Sequence, residues 1–269
     1  MRARLETRGD LRQDAENDRR NGPADMRNHA PTTDVPSAPA IHPAVGRAFE
    51  ALERASIQWC LLRGEAELTS TDGDVDLLAA RGDMPRLREA LAGAGYVPLR
   101  AWGRGSHRFF VGWDEESSRR IKLDVVTQLA YGRYQEVRIA GADGCLARRR
   151  YLGTLALLSP DDAFWTLLLH CMLDREAFSV AQQERLLELA GEADCTSELG
   201  NLVGGAFAGR GESAALLELV HAEDWTALKT IAQGAPAVFG PRRRLEMRLR
   251  RLGNRSLRWT SKVLPRGRW

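Results

Sequence analysis

Asp74-Val75-Asp76 and Asp124 are the residues whose types and spacing could do chemistry. Side chains alternate faces along a strand, so Asp74 and Asp76 point to one side while Val75 and Leu77 point to the other. Two carboxylates at i, i+2 where a strand begins suit a hard cation, because Mg²⁺ takes oxygen ligands in tight octahedral geometry. The run from Arg120 to Val126 alternates polar and apolar up to Val125, which sets Asp124 on one face with Lys122 and turns Leu123 and Val125 away. Upstream, the apolar run Trp59–Leu62 ends at Arg63-Gly64.

An Asp-x-Asp pair alone is common, and a solvated turn is its ordinary meaning. Here it is combined in order with Gly64 and a third, strand-borne acid. Residues 43–130 thereby resemble the nucleotidyltransferase superfamily with the polymerase-beta-like fold, whose pattern is a helix, a strand ending in hydrophobic-Gly-Ser or Gly-Gly, an Asp-x-Asp strand and a later acid strand. The resemblance implies Mg²⁺-dependent transfer of a nucleoside monophosphate from an NTP to a hydroxyl acceptor: a small molecule, an RNA end or a protein side chain. Two Mg²⁺ ions would clamp the attacking and leaving oxygens. Asp74 and Asp76 would bridge both ions and the triphosphate, and Asp124 would hold the ion that activates the hydroxyl. Gly64 would let the backbone approach the phosphates, where a Cβ would obstruct them. Arg63, His107, Arg108 and Lys122 are candidate phosphate or substrate contacts, and each alone reads equally well as a solvated surface charge. The chain departs from the pattern at Glu65, where the family has Ser or Gly. In an active enzyme Glu65 must turn away from the triphosphate or pair with an arginine such as Arg63 or Arg108.

Other chemistries fit less well. An EF-hand reading of Asp72-Gly73-Asp74-Val75-Asp76 fails, because Leu77 and Asp83 fall where Gly and Glu are required. His170 and Asp174, at i, i+4, read as a helix-surface pair without a third ligand. The chain has no G-x-x-x-x-G-K-[ST] phosphate loop and no G-x-S-x-G elbow.

The elements that must position these residues follow from apolar spacing. Pro43–Ala55 predicts a helix with Val45, Phe49 and Leu52 on one stripe. Strands are expected at 57–62, 74–79, 96–102, 108–113, 120–127 and 134–139, with Gly103 to Ser106 as a turn. Asp83 is the expected N-cap of a helix that stops at Gly93–Gly95. Ser159-Pro160-Asp161-Asp162 is a helix start, with Ser at the N-cap and Pro at N1. Beyond it helices are expected at 164–172, 180–190, 198–207, 212–221 and 225–231, the third weakened by Gly200, Gly204 and Gly205. The expected class is α+β: a mixed-sheet nucleotidyltransferase-like domain over 43–151, then an all-helical domain over 152–238.

Length allows one large or two small domains, and 43% hydrophobic content supports a real core. The four cysteines are scattered with no C-x-x-C, which fits reduced thiols. The first residues contain no apolar signal region, and no apolar run approaches a membrane span. A cytoplasmic location is the resulting expectation. Residues 1–40 hold seven Arg against seven acids and few large apolar residues, and they read as disordered. The formal charge of +3 hides an asymmetry: residues 240–269 carry ten Arg and one Lys against Glu246 alone, so the rest of the chain is net negative. Leu245, Leu249 and Leu252 form a stripe among those arginines. This segment reads first as a solvated helix or linker; its charge is also expected to attract polyanions weakly, unless its leucines dock on the helical domain. The order of catalytic domain, helical domain and Arg-rich segment resembles the front of longer bacterial proteins in which a kinase-like domain follows. Two alternatives therefore stand beside the transferase: a catalytically silent module that works with a kinase-like partner, and a toxin-type nucleotidyltransferase.

Overall fold

Helix α1 (Pro43–Arg54) shows how the first layer forms. Pro43 fits the first turn, the His42 ring accepts the Ala44 N–H at 3.3 Å, and Val45, Ala48, Phe49 and Leu52 fall on one buried stripe. Phe49 stacks on Trp59 with ring centroids 4.7 Å apart, which seats α1 on the first strand. The Trp59 indole N–H leaves the apolar contact to donate to Glu53 at 2.7 Å.

The structure is a computed structural model. It describes residues 40–70, 73–99, 106–116, 118–132, 135, 137–207 and 212–234, with Leu245, Leu249 and Leu252. Strand β1 (Trp59–Arg63) is followed by β2 (Asp74–Ala79), α2 (Met84–Gly93), β3 (Val97–Pro98), β4 (Arg108–Asp114) and β5 (Arg119–Val126). Next come the hairpin β6 (Leu129–Tyr131) and β7 (Val137–Ile139), α3 (Ala142–Ala147), β8 (Arg150–Leu152) and β9 (Leu155–Leu157). The remainder is helical: α4 (Pro160–Leu169) with a π-helical extension His170–Arg175, α5 (Val180–Ala190), α6 (Glu198–Ala206), α7 (Ser213–His221) and α8 (Trp225–Gly234).

Seven strands form one sheet in the order β3-β4-β5-β2-β1-β9-β8. β2 runs parallel to β5 and β1 parallel to β9, while the other pairs are antiparallel. The protein is therefore α+β with a mixed sheet, and its later part is helical. One face of the sheet carries Trp59, Leu61, Val75, Leu77, Phe110, Leu123 and Val125, all buried, on the side of α1. Tyr96 reaches across that layer and donates to the Ala44 carbonyl at 3.0 Å. On the other face α3 packs over β2 and α4 over β1.

Several expected details differ. Asp83 stands at the N-cap of α2 as expected, but its side chain makes no capping hydrogen bond; its carboxylate accepts the Gln58 N–H at 2.9 Å and pairs with Arg86, tying α2 to the start of β1. Two of the glycines in α6 are close-approach positions rather than breakers: a Cβ on Gly200 would lie 2.6 Å from the Asp194 carbonyl oxygen and one on Gly204 3.1 Å from the Ser213 nitrogen, whereas one on Gly205 would meet nothing within 4 Å. A break near Leu152 falls between β8 and β9, both part of the sheet, and among the described residues a continuous apolar core runs from Ala44 to Ala232. Residues 1–39, the Gly103–Gly105 turn and most of 240–269 lie outside the described residues. Leu245, Leu249 and Leu252 are helical and exposed.

Candidate functional site

The sheet register assembles the acids. Asp74 lies beside Lys122 and Asp76 beside Asp124 across the parallel β2–β5 pair. Neighbours at the same register project to the same side of a sheet, so Asp74, Asp76, Lys122 and Asp124 share one face. Phe109 is opposite Asp124 on β4 and joins them. A register shift between Leu61 and Arg63 sets Arg63, instead of Leu62, against Asp76. Such a bulge re-aims a side chain, and here it aims a guanidinium at the acid cluster.

Each aspartate meets its own base. Lys122 Nζ donates to Asp74 Oδ2 at 2.5 Å, and Arg63 Nε lies 2.8 Å from Asp76 Oδ2. His107 Nδ1 lies 2.9 and 2.7 Å from the two Asp124 oxygens. Lys122 also sits 4.1 Å above the Phe109 ring, a cation–π contact that steadies its ammonium. Burial pushes the Asp76 carboxyl above its ordinary range; Arg63 opposes this, Asp124 adds to it, His170 opposes it and Asp74 adds to it. Asp124 is nearly buried, and the Asp74 side chain stays 44% exposed.

Arg108 does not join this group. Its register places it opposite Val125, on the other face, and its guanidinium donates to the His107 carbonyl at 2.9 Å. Gly64 takes φ +84°, ψ +26°, a left-handed conformation that disfavours side chains, whereas a Cβ there would meet nothing within 4 Å. The visible demand for glycine is thus conformational. Glu65 pairs with neither Arg63 nor Arg108: its partner is Arg185 of α5.

Next to this turn a small cleft, about 280 Å³ including open solvent, is lined by Arg63, Gly64, Glu67, Leu68, Ser70, Gly73, Asp74 and Val75. Glu65 is not among its lining residues. Glu67 is, and sequence reasoning passed over it because no spacing marked it. Phe109 and Arg185 were also missed. Phe109 was legible as a strand residue of the Asp124 face, whereas Arg185 had no signal.

His170 is no surface residue. It is buried on the π-helical turn, with Nδ1 3.0 Å from Asp174 Oδ2, and Arg175 Nε donates to Nε2 at 3.4 Å. Asp174 also accepts the Gly132 N–H at 2.7 Å, tying the turn to the β6–β7 hairpin. Burial lowers the His170 pKa, and the Asp174 hydrogen bond opposes that.

The donors suit a hard cation in type and register, being three carboxylates on one face at neighbouring positions. Their present rotamers are spent on bases, and among the described residues no three His, Cys, Asp or Glu side chains converge on one point. The thiols take no part: Cys60, Cys145 and Cys171 are free and buried, and burial pushes Cys60 and Cys171 up to about 12. Among the described residues no helix is long and apolar enough to cross a membrane.

No family model matches the chain, and no curated protein matches it. One solved structure aligns, described as the crystal structure of JHP933 from Helicobacter pylori. It has 12% sequence identity, a TM-score of 0.34, and coverage of 83% of this chain and 99% of that one.

Proposed function

We propose that this protein is a Mg²⁺-dependent nucleotidyltransferase that moves a nucleoside monophosphate from an NTP to a hydroxyl acceptor. The observation that carries the reading is the register: Asp74 and Asp76 on β2 stand beside Lys122 and Asp124 on β5, all on one face, next to the left-handed turn at Gly64. Asp74, Asp76 and Asp124 would hold the metal, which when bound neutralises phosphate charge and acidifies the acceptor hydroxyl. For that, the three carboxylates would exchange Lys122, Arg63 and His107 for the cation. Once released, Arg63 and Lys122 would be free to bind phosphate oxygens, Arg63 by its fork of N–H donors and Lys122 as a point charge. In the reaction the acceptor oxygen bonds to the α-phosphorus, the bond to pyrophosphate breaks, and the hydroxyl proton is released.

The test is label transfer from each of the four α-³²P-labelled NTPs to acceptors in cell extract, with Mg²⁺, for wild type and Asp76→Asn. Transfer by wild type that disappears in the variant is the expected result. No transfer from any of the four rejects the reading.

A second reading has its own observation. All three aspartates are already engaged by basic side chains, as they would be in a silent module that keeps the fold and serves a partner. Nucleotide-dependent Mg²⁺ binding by wild type, lost in Asp76→Asn, separates the transferase from this module.

A further inference from the structure

The Glu65–Arg185 pair joins residues 120 positions apart. Glu65 opens a single 3₁₀ turn directly after Gly64, where an anionic substrate would approach if the chain binds NTPs. The cleft already holds the carboxylates of Asp74 and Glu67. A further negative charge at its rim, left without a partner, would raise the cost of bringing in phosphate, since Coulomb repulsion falls only as the inverse of distance. Glu65 nevertheless stays out of the cleft lining while its neighbours Gly64 and Glu67 are part of it.

Arg185 is well placed to hold it there. Helix α5 starts with a full capping box, in which Ser179 and Gln182 satisfy each other's backbone N–H groups. Leu186 and Leu189 are buried beside it on the helix, and α5 packs on α4. Arg185 therefore projects from a fixed helix. Its second partner, Glu188 at 2.6 Å, is one turn away with a side chain 68% exposed, so solvent screens it more than Glu65, which is 32% exposed.

We infer that Arg185 is a positioning residue of the nucleotide site: it turns Glu65 aside and cancels its charge, so that a polyphosphate can settle against the Gly64 turn. The inference rests on the nucleotide reading above. It also explains how a carboxylate is tolerated next to that turn.

The test measures binding of Mg²⁺–NTPs and of tripolyphosphate by calorimetry, with KM and kcat where transfer occurs. Arg185→Gln is expected to raise Kd and KM roughly tenfold by leaving Glu65 uncompensated, with kcat little changed. Arg185→Lys retains most of the affinity. Glu65→Gln/Arg185→Gln returns to the wild-type affinity, a rescue that a merely structural tie between α5 and the turn would not produce. Glu65→Gln, which leaves α5 untouched, binds at least as tightly as wild type. Wild-type affinity in Arg185→Gln overturns the inference while the nucleotide reading stands. So does a double variant that stays weak, or weaker binding by Glu65→Gln. Absence of binding by every protein, wild type included, removes the nucleotide reading and this inference with it.

Discussion

Two carboxylate–base constellations lie in this molecule, and they are built differently. Around Asp162, which is fully buried, Arg148 donates through Nε at 3.1 Å and Nη2 at 2.8 Å, and the Ser159 hydroxyl donates at 2.7 Å. Arg148 also pairs with Glu198, so one guanidinium gathers the end of α3 and the first turns of α4 and α6. The Asp162 carboxylate oxygens are saturated by protein donors, and the group is a clasp. At the Asp74–Asp76–Asp124 face the same residue types meet one base each, and the Asp74 and Asp76 side chains keep 44% and 19% of their surface open. A carboxylate with spare lone pairs and access can exchange its partner for a cation, and one that is dry and fully bonded cannot without dismantling the core. Ion pairs alone therefore do not mark a site. Unspent coordination capacity does.

The contrast can be broken from either side. The largest effect is expected on activity: Asp76→Asn should lower nucleotidyl transfer at least about a thousandfold, about 4 kcal/mol in barrier, while moving the unfolding free energy by less than about 1 kcal/mol. A large stability loss would make Asp76 a clasp like Asp162. Next, Asp162→Ala should cost about 3 kcal/mol in urea unfolding, because Arg148 loses a bidentate partner inside the core, moderated by the solvent that reaches Arg148. A loss below about 1 kcal/mol would erase the distinction.

A third expectation concerns pH. The folded-state pKa of Asp76 is raised, chiefly by burial, so the folded chain holds this proton more tightly than the unfolded chain. Its stabilising contribution is full below the unfolded carboxylate pKa, and it is lost as pH rises through the raised folded value. Wild type should lose stability relative to Asp76→Asn across that window, followed by chemical denaturation at stepped pH. An opposite slope would mean that Arg63 outweighs burial. The smallest effect belongs to the exposed pair: Lys122→Met should change stability by no more than about 0.5 kcal/mol, and its mark should be a weaker affinity for NTP.

Much of this site was legible because local rules decided it. Asp74–Ala79 and Val180–Ala190 form over the very residues that their alternation and apolar stripe imply, and period-two logic put Asp124 on the face of Lys122. Ser159 caps α4 as its chemistry suggests, accepting the Asp162 N–H at 3.2 Å. What stayed hidden depends on distant partners. β8 and β9 are three residues each, too short for a periodic signal, and they become strands by pairing with each other and with β1. The bulge that turns Arg63 toward Asp76 exists only relative to β2. Arg185 looks like any helical arginine until α5 is packed. Likewise, His170 and Asp174 at i, i+4 read as a surface pair until Gly132 and Arg175 close around them.

The parallel pairing of Leu61 with Leu157 has a kinetic consequence. β1, the neighbour of the Asp74–Asp76 strand, cannot be flanked on both sides until the chain has reached β9. Non-local pairings of this kind raise contact order and slow folding toward the millisecond-to-second range of sheet-rich domains. A polypeptide stopped at Leu152 would own every aspartate of the site and still present β1 as a bare edge, an invitation to aggregate rather than to bind. The acidic face of this sheet is thus written early in the chain and becomes architecture late.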